Sequence, residues 1–303
     1  MITGRVVAVV GPTATGKSDL AVALAQRLDG EVVNADSMQL YAGMDIGTAK
    51  LPPGERGGVE HHLLDIWPIR KSAAVAEYQA IARLAIAAIH DRGRLPILVG
   101  GSGLYLRGAL DKLEFPGESP EIRGRLYAEL DDVGPDVLHR RLAELDPLAA
   151  TAILSTNGRR IVRALEVIEL TGAPFTARMP AFESIYDCVQ IGLDRDDLDE
   201  RVELRVGRMM ALGFVDEIRG LLPAGLRDSP TAGKALGYAQ LLECLDDDGT
   251  VSGNLDEAVA QTVRATRRFV RRQRSWFRRD PRVHWLDAAD PGVLDAALST
   301  LGP

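Results

Sequence analysis

The regular pattern begins at Arg5–Val10, RVVAVV, where five of six residues are apolar in one unbroken run. A short run without polar alternation suits a strand covered on both faces, as in a parallel sheet. It stops at Gly11-Pro12. From Lys17 to Leu28 the residues Leu20, Leu24 and Leu28 recur four apart, one face of a helix. Glu31–Ala35 predicts a second short strand, 74–91 an Ala-rich helix stopped at Gly93, and Leu95–Val99 another buried strand running into Gly100-Gly101-Ser102-Gly103. Strand and helix alternating at this spacing predict a parallel sheet flanked by helices.

The pattern changes after Phe115-Pro116-Gly117. From Pro120 to about Thr171 only helical periodicity is present, punctuated by Gly134-Pro135, Asp146-Pro147 and Asn157-Gly158. Strand character returns at Cys188–Leu193. Amphipathic helices follow over about 196–212, 214–222, 234–246 and 254–279, then a short strand at Val283–Leu286 and a last helix. The expected fold class is α/β: a P-loop-containing parallel sheet flanked by helices, with an all-helical insertion domain. Residues 1–115 and 188–303 form the core with a helical C-terminal part. Residues 116–187 form the insertion, joined near Pro116 and over 180–187.

Composition narrows the class. The chain has 303 residues, 46% hydrophobic and 26% charged, an ordinary globular balance. Two cysteines, Cys188 and Cys244, exclude a disulfide framework and a Cys-based zinc module, and two reduced thiols in a cytoplasmic protein are expected. No run of 18 apolar residues occurs, so no transmembrane helix is predicted, and the N-terminus lacks a signal-peptide pattern. Nothing in the chain calls for a membrane or an obligate protein partner, and a monomer is expected.

The net charge of −7 argues against a nucleic-acid partner, but its distribution reverses the argument. Residues 264–279 hold eight arginines and no acid, which leaves −15 on the rest of the chain. On one long helix these charges cannot all face one way. About half would face a phosphate backbone, with Arg271, Arg272, Arg274 and Arg278 the candidates, and the others would pair with acids. A solvated face is the alternative.

Gly11-Pro12-Thr13-Ala14-Thr15-Gly16-Lys17-Ser18 matches G-x-x-x-x-G-K-[ST], after a strand and before a helix. Backbone N–H groups curl around an anion, the helix N-terminus adds partial positive charge, and Lys17 supplies a full one. Ser18 is the candidate ligand for Mg²⁺. A nucleotide hydrolase would add an apolar strand ending in an acid. Leu95–Val99 ends in glycines instead, and Leu63-Leu64-Asp65, beside His61-His62, is short. Adjacent histidines on a strand point to opposite faces, so this pair suits packing or local hydrogen bonding better than a metal.

The second strand runs into Asp36-Ser37-Met38-Gln39. Strand carboxyl ends line the ligand crevice of an open parallel sheet, which puts Asp36 near the phosphate loop. There it would accept a proton from an attacking nucleophile, or serve as a turn aspartate. The Ser37 and Gln39 side chains both donate and accept, as a site reading a base edge needs. Ser102 is brought to the same crevice.

Three segments, GPTATGKS (11–18), ADSMQLY (35–41) and GGSGLYLRGAL (100–110), resemble the tRNA dimethylallyltransferases, also called tRNA isopentenyltransferases. HHLLD (61–65), RRIVRALEV (159–167), GKALGY (233–238) and RRQRSWF (271–277) follow in order, so the resemblance spans nearly the whole chain. Ser18 and Ser102 stand where threonine is commoner, and Asn157-Gly158-Arg159-Arg160 lacks a glutamine usual before the arginine.

The resemblance implies transfer of a dimethylallyl group from dimethylallyl diphosphate to N6 of adenosine 37 in the tRNA anticodon loop. The phosphate loop would hold the leaving diphosphate, helped by Lys17, Arg205 or Arg201, and Mg²⁺ on Ser18. Asp36 would take the proton and Ser102 would bond near the reacting centre. Asp36, Ser37, Met38, Gln39 and Ser102 would meet the target base. The insertion would be the swivelling domain that grips the anticodon stem-loop, with Arg123, Arg160 and Arg163 on the RNA. A transferase acting on free adenine nucleotide, a small-molecule kinase and a nucleotide-switched RNA-binding protein would share the loop. The extra helices and the arginine run favour the large substrate.

Overall fold

A computed structural model describes residues 4–175 and 182–302. Strand β1 (Arg5–Val10) leads through the phosphate loop into α1 (Lys17–Leu28), and β2 (Gly30–Asn34) and β3 (His61–His62) follow. Then come α2 (Val75–Asp91), β4 (Leu95–Gly100) and α3 (Gly103–Leu110). The chain returns at β5 (Asp187–Asp194) after a helical excursion with α4 (Pro120–Val133), α5 (Pro135–Leu145), α6 (Pro147–Ala152) and α7 (Gly158–Thr171). It ends with α8 (Leu198–Ala211), α9 (Phe214–Leu221), α10 (Tyr238–Leu242), α11 (Leu255–Phe277), β6 (Val283–Asp287) and α12 (Val293–Thr300).

The six strands form one parallel sheet in the order β3-β2-β4-β1-β5-β6. The alternation of a strand explains why β1 is apolar throughout. Val6, Ala8 and Val10 pack on one face with Tyr78, Ile86 and Ile89 of α2, while Val7 and Val9 pack on the other with Leu20 and Leu24 of α1. Order reverses beside β1, so the carboxyl ends of β1, β2 and β4 open onto a common crevice.

Two expectations change. The helix expected over 234–246 is a 3₁₀ turn at Ala232–Lys234 and the short α10. Ala235 is extended and Gly237 has φ +87°, where a Cβ would stand 2.8 Å from the Phe214 ring, so the two turns cannot fuse. The second strand ends at Asn34, one residue early, because the Asn34 side chain turns the chain at Asp36.

The chain divides into two compact units, one of residues up to Asp111 and from Ser184 onward, the other Lys112–Glu183. These limits lie four residues outside the expected 116–187 at the front and four inside it at the rear. The Asp111–Ser184 bridge and the Ile185 N–H donating to Leu110 O tie 184–187 to the sheet unit. Pro116 and Gly117 belong to the helical unit, where their carbonyls accept from Arg163. Residues 180 and 181 of the expected second crossing lie outside the described residues.

Within the helical unit the punctuating dipeptides are helix boundaries. Asp146 caps α6, Asn157 caps α7 through Arg160 N–H, and Pro135 and Pro147 occupy first turns. Leu126, Leu138, Leu142, Ile161 and Leu165 form its core. Glu166, fully buried, accepts from Ser119 N–H, Arg123 and Arg163. Its carboxyl is held below the ordinary glutamate range by these donors, which outweigh burial. Glu166→Ala would leave two guanidinium groups facing an empty acceptor. It should destabilise the helical unit by about 3 kcal/mol in urea unfolding, the cost of breaking a largely buried ion pair; a change under about 0.5 kcal/mol would show the arginines satisfied without it.

Candidate active site

The loop after β1 takes its shape from backbone that few residues tolerate. Gly11 has φ +132°, and a Cβ there would stand 2.3 Å from the Leu193 carbonyl oxygen of β5, so only glycine lets the loop leave the sheet. Ala14 adopts φ +68°, a conformation that costs an alanine about 1 kcal/mol and persists only where contacts enforce it. Thr15 Oγ1 and Lys17 Nζ donate to the Pro12 carbonyl, and Arg201 Nε of α8 donates to the Ala14 carbonyl at 2.8 Å. The Pro12 and Ala14 carbonyls are thereby occupied by donors from the protein, and Lys17 opens the first turn of α1.

Lys17 is the electrostatic centre. Burial and the neighbouring Arg205 guanidinium push its ammonium down to about 7, and Asp36 offsets part of this. Arg205, on α8, is itself lowered by burial and raised by Asp36. Two cations and one carboxylate therefore share this crevice, an excess of positive charge that an anion would neutralise.

Asp36 forms the second wall. Its Oδ1 accepts from Met38 N–H at 2.9 Å and its own N–H donates to Asn34 Oδ1 at 2.9 Å. Tyr78 donates to the Asn34 carbonyl and fixes the turn from below. Asp36 is thus a turn aspartate and a charged partner of Lys17 and Arg205 at once, and its Oδ2 makes no hydrogen bond among the described residues.

The third wall is the end of β4. Cβ atoms at Gly100, Gly101 and Gly103 would stand 2.4 Å from the Ala35 carbonyl, 2.2 Å from Gln273 Nε2 and 1.9 Å from Trp276 Nε1. The Ala35 backbone and two side chains of α11 press against this segment, which is why it is glycine-rich. Ser102 accepts from Ser37 N–H at 3.2 Å, and the two hydroxyl oxygens are 3.3 Å apart.

A fourth segment, 44–50, closes beside it. Glu217 accepts from the N–H groups of Asp45, Ile46 and Gly47 and from the Tyr238 hydroxyl. Lys50, buried, donates to Tyr41 O, Asp45 and Asp65. The Thr48 carbonyl so placed accepts from Gln39 Nε2 at 3.2 Å and from Arg205 at 3.4 Å. Asp65 is accordingly a lysine partner in a bend, with Leu63 and Asp65 both at positive φ, and not a strand-end acid. His62 bonds to Glu31 and His61 to the Val59 carbonyl.

The structure therefore brings Gly11–Ser18, Asp36, Ser37, Ser102 and Arg205 to one crevice of the sheet unit. Several other expected residues have partners within the protein. The Gln39 amide nitrogen donates to the carbonyls of Thr48 and Ala49. Arg123 and Arg163 hold Glu166, while Arg160 is exposed on α7. On α11, Arg274 and Arg278 pair with Asp194, and Arg274 also donates to the Arg195 carbonyl. Arg264 and Arg267 pair with Glu257, and with Asp199 and Glu203. Arg268, Arg271, Arg272 and Arg279 are exposed and form no ion pair among the described residues, so the outward half of the run is this set. Glu217 carries no sequence signal for a place beside the site, whereas Gln273 stands apart from the arginines around it as an amide that could pack on the core or touch a nucleotide. It lies between the buried positions Val270 and Phe277.

Among the described residues no three His, Cys, Asp or Glu cluster as metal ligands. Ser18, in the first turn of α1, forms no hydrogen bond through its hydroxyl among them. One hydroxyl beside an anion loop suits Mg²⁺, which keeps waters and phosphate oxygens as its other ligands.

The model of the family "IPP transferase" matches residues 39–280. A "tRNA dimethylallyltransferase" of Streptomyces avermitilis is 66% identical over 94% of this chain and 91% of its own length, and one from Thermobifida fusca is 62% identical over 97% and 93%. Among solved structures, the tRNA isopentenylpyrophosphate transferase of Bacillus halodurans is 39% identical, with a TM-score of 0.70 over 99% of this chain and 97% of that one. A eukaryotic dimethylallyltransferase acting on tRNA gives 0.81 at 26% identity, over 99% and 77%.

An anion in the loop must restore the charge of Lys17. Its ammonium is half lost near pH 7 in the free protein, so binding above pH 7 takes up a proton. The affinity for inorganic diphosphate should fall as pH rises from 7 to 9, by up to about tenfold per unit beyond the change caused by diphosphate's own ionisation. Calorimetry of wild type against Lys17→Ala isolates this part. Parallel pH profiles for the two proteins would contradict it.

Proposed function

The chain belongs to the IPP transferase family, and on that premise we propose that it takes the dimethylallyl group from dimethylallyl diphosphate and places it on N6 of adenosine 37 in the anticodon loop. It is an enzyme that transfers a dimethylallyl group to tRNA. The observation that supports the finer reading is the single crevice in which an anion loop with Lys17 and Arg205 meets a carboxylate, Asp36.

In the reaction the C1–O bond to diphosphate breaks, the N6–C1 bond forms, and N6 loses a proton. The N-terminus of α1, Lys17 and Arg205 stabilise the charge that gathers on the leaving oxygens. Arg201, through Ala14, holds the loop that receives them. When bound on Ser18, Mg²⁺ supplies further neutralisation of the diphosphate. Asp36 receives the proton through Oδ2, because Met38 N–H already holds Oδ1. Ser37 and Ser102 set the wall against which the adenine, splayed out of its loop, must lie. The helical unit grips the anticodon stem-loop, and the outward arginines of α11 meet phosphate. With tRNA as substrate the enzyme works in the cytoplasm; among the described residues no helix is long and apolar enough to cross a membrane.

Incubation with radiolabelled dimethylallyl diphosphate should label unmodified tRNA and leave AMP unlabelled. Label in AMP alone would move the enzyme to free nucleotides. Asp36→Asn keeps the acceptor for Met38 N–H, so the turn should survive while kcat falls about 10²–10⁴-fold. A near-normal kcat would remove Asp36 from proton transfer. Changing Arg268, Arg271, Arg272 and Arg279 to Gln should flatten the slope of log tRNA affinity against log salt by about 3, at about 0.7–0.9 per phosphate contact. Changing Arg274 and Arg278 instead should leave the slope nearly as it was and lower thermal stability. Equal slopes in wild type and the fourfold variant would put the RNA surface elsewhere.

A further inference from the structure

Gln273 lies on α11, amid the arginine run, yet its side chain is buried. Its Oε1 accepts from Thr13 N–H of the phosphate loop at 3.0 Å, and its Nε2 donates to the Gly101 carbonyl at the end of β4, also at 3.0 Å. The amide has one orientation that satisfies both, since a backbone N–H needs an acceptor and a carbonyl needs a donor. Room for it exists only because residue 101 has no Cβ. From Gly101 the contacts continue: Ser102 bonds to Ser37, the residue next to Asp36. Trp276, one turn along α11, fills the space over Gly103. The loop that takes the leaving group and the wall that carries the proton acceptor are thus joined through one side-chain amide.

We propose that Gln273 is a positioning residue for group transfer, which sets the spacing between the phosphate loop and the Ser102–Asp36 wall. The proposal rests on the transfer reaction inferred above. Displacement and proton removal need the donor carbon and the amine aligned together, and a misplacement of about 1 Å costs about 10²-fold in rate. A buried amide with both ends used holds such a spacing more tightly than a solvated contact, because either end left unpaired costs desolvation.

The test uses the whole protein, with single-turnover transfer to tRNA and calorimetry of inorganic diphosphate. Gln273→Ala removes both ends of the bridge. Gly101→Ala attacks the same contact from the other side. Each should lower the single-turnover rate about 10²-fold while weakening diphosphate only a few fold. Once either is present, adding the other should cost little more. Gln273→Glu covers the case in which the alanine variants do not fold. Protonated, its carboxyl both accepts from Thr13 N–H and donates to Gly101 O; ionised, it faces a carbonyl with no proton. Its rate should therefore recover as pH falls, relative to wild type, a signature that loss of packing would not produce. Rates within twofold of wild type in folded variants would overturn the proposal. So would equal losses in rate and diphosphate affinity, which would make Gln273 a support of the phosphate loop alone. Absence of transfer by the wild type would instead refute the reaction on which the proposal rests.

Discussion

Close approach of backbone to backbone at the carboxyl ends of β1 and β4 is the constraint on which the rest depends. A Cβ at Gly11 would strike β5, and one at Gly100 would strike Ala35. Removing side chains at these points lets the phosphate loop, the Asp36 turn and the Ser102 turn converge within hydrogen-bond reach. The strain is real, since Ala14 is left-handed without being glycine. Arg201 and Gln273, from helices nearly 190 and 260 residues away in sequence, hold the loop against it.

Convergence creates an electrostatic problem that the fold leaves partly open. Lys17 and Arg205 are brought together in a half-buried crevice with Asp36 as the counter-charge. The lysine responds by releasing its proton more readily. Bringing in a multiply charged anion removes the conflict, so the free site is poised for binding at the expense of its own stability. The distant braces, Glu217 and Lys50, serve the same end by orienting the 44–50 backbone toward Arg205 and Gln39.

The arginines show how one residue type is divided between two uses. Where a carboxylate lies within reach, as Asp194 does for Arg274 and Arg278, the guanidinium becomes part of the scaffold. Glu166 does the same to Arg123 and Arg163 in the helical unit. On α11 and just beyond it, Arg268, Arg271, Arg272 and Arg279 have no such partner among the described residues and stay available to a polyanion. Net charge hides this, because the acids that balance the sum are spread over the chain while the outward arginines are concentrated.

The order of strands and helices was legible in the sequence, because apolar periodicity and Gly/Pro/Asn/Asp punctuation are local. Arg5–Val10 declared a doubly covered strand, and Asp146-Pro147 and Asn157-Gly158 marked helix starts. The phosphate loop and the place of Asp36 were also legible, since strand ends in a parallel sheet share one crevice. The 234–246 segment misled, because its helical composition did not reveal that Gly237 would be driven to positive φ beneath Phe214. Which arginines face outward, the partners of Gln39 and the bridge made by Gln273 were decided only by tertiary structure. Each depends on a partner some ten to 260 residues away, such as Thr48 for Gln39 or Thr13 for Gln273. A linear pattern records what a residue is and how often its type recurs; it does not record which distant backbone will come within 3 Å of it.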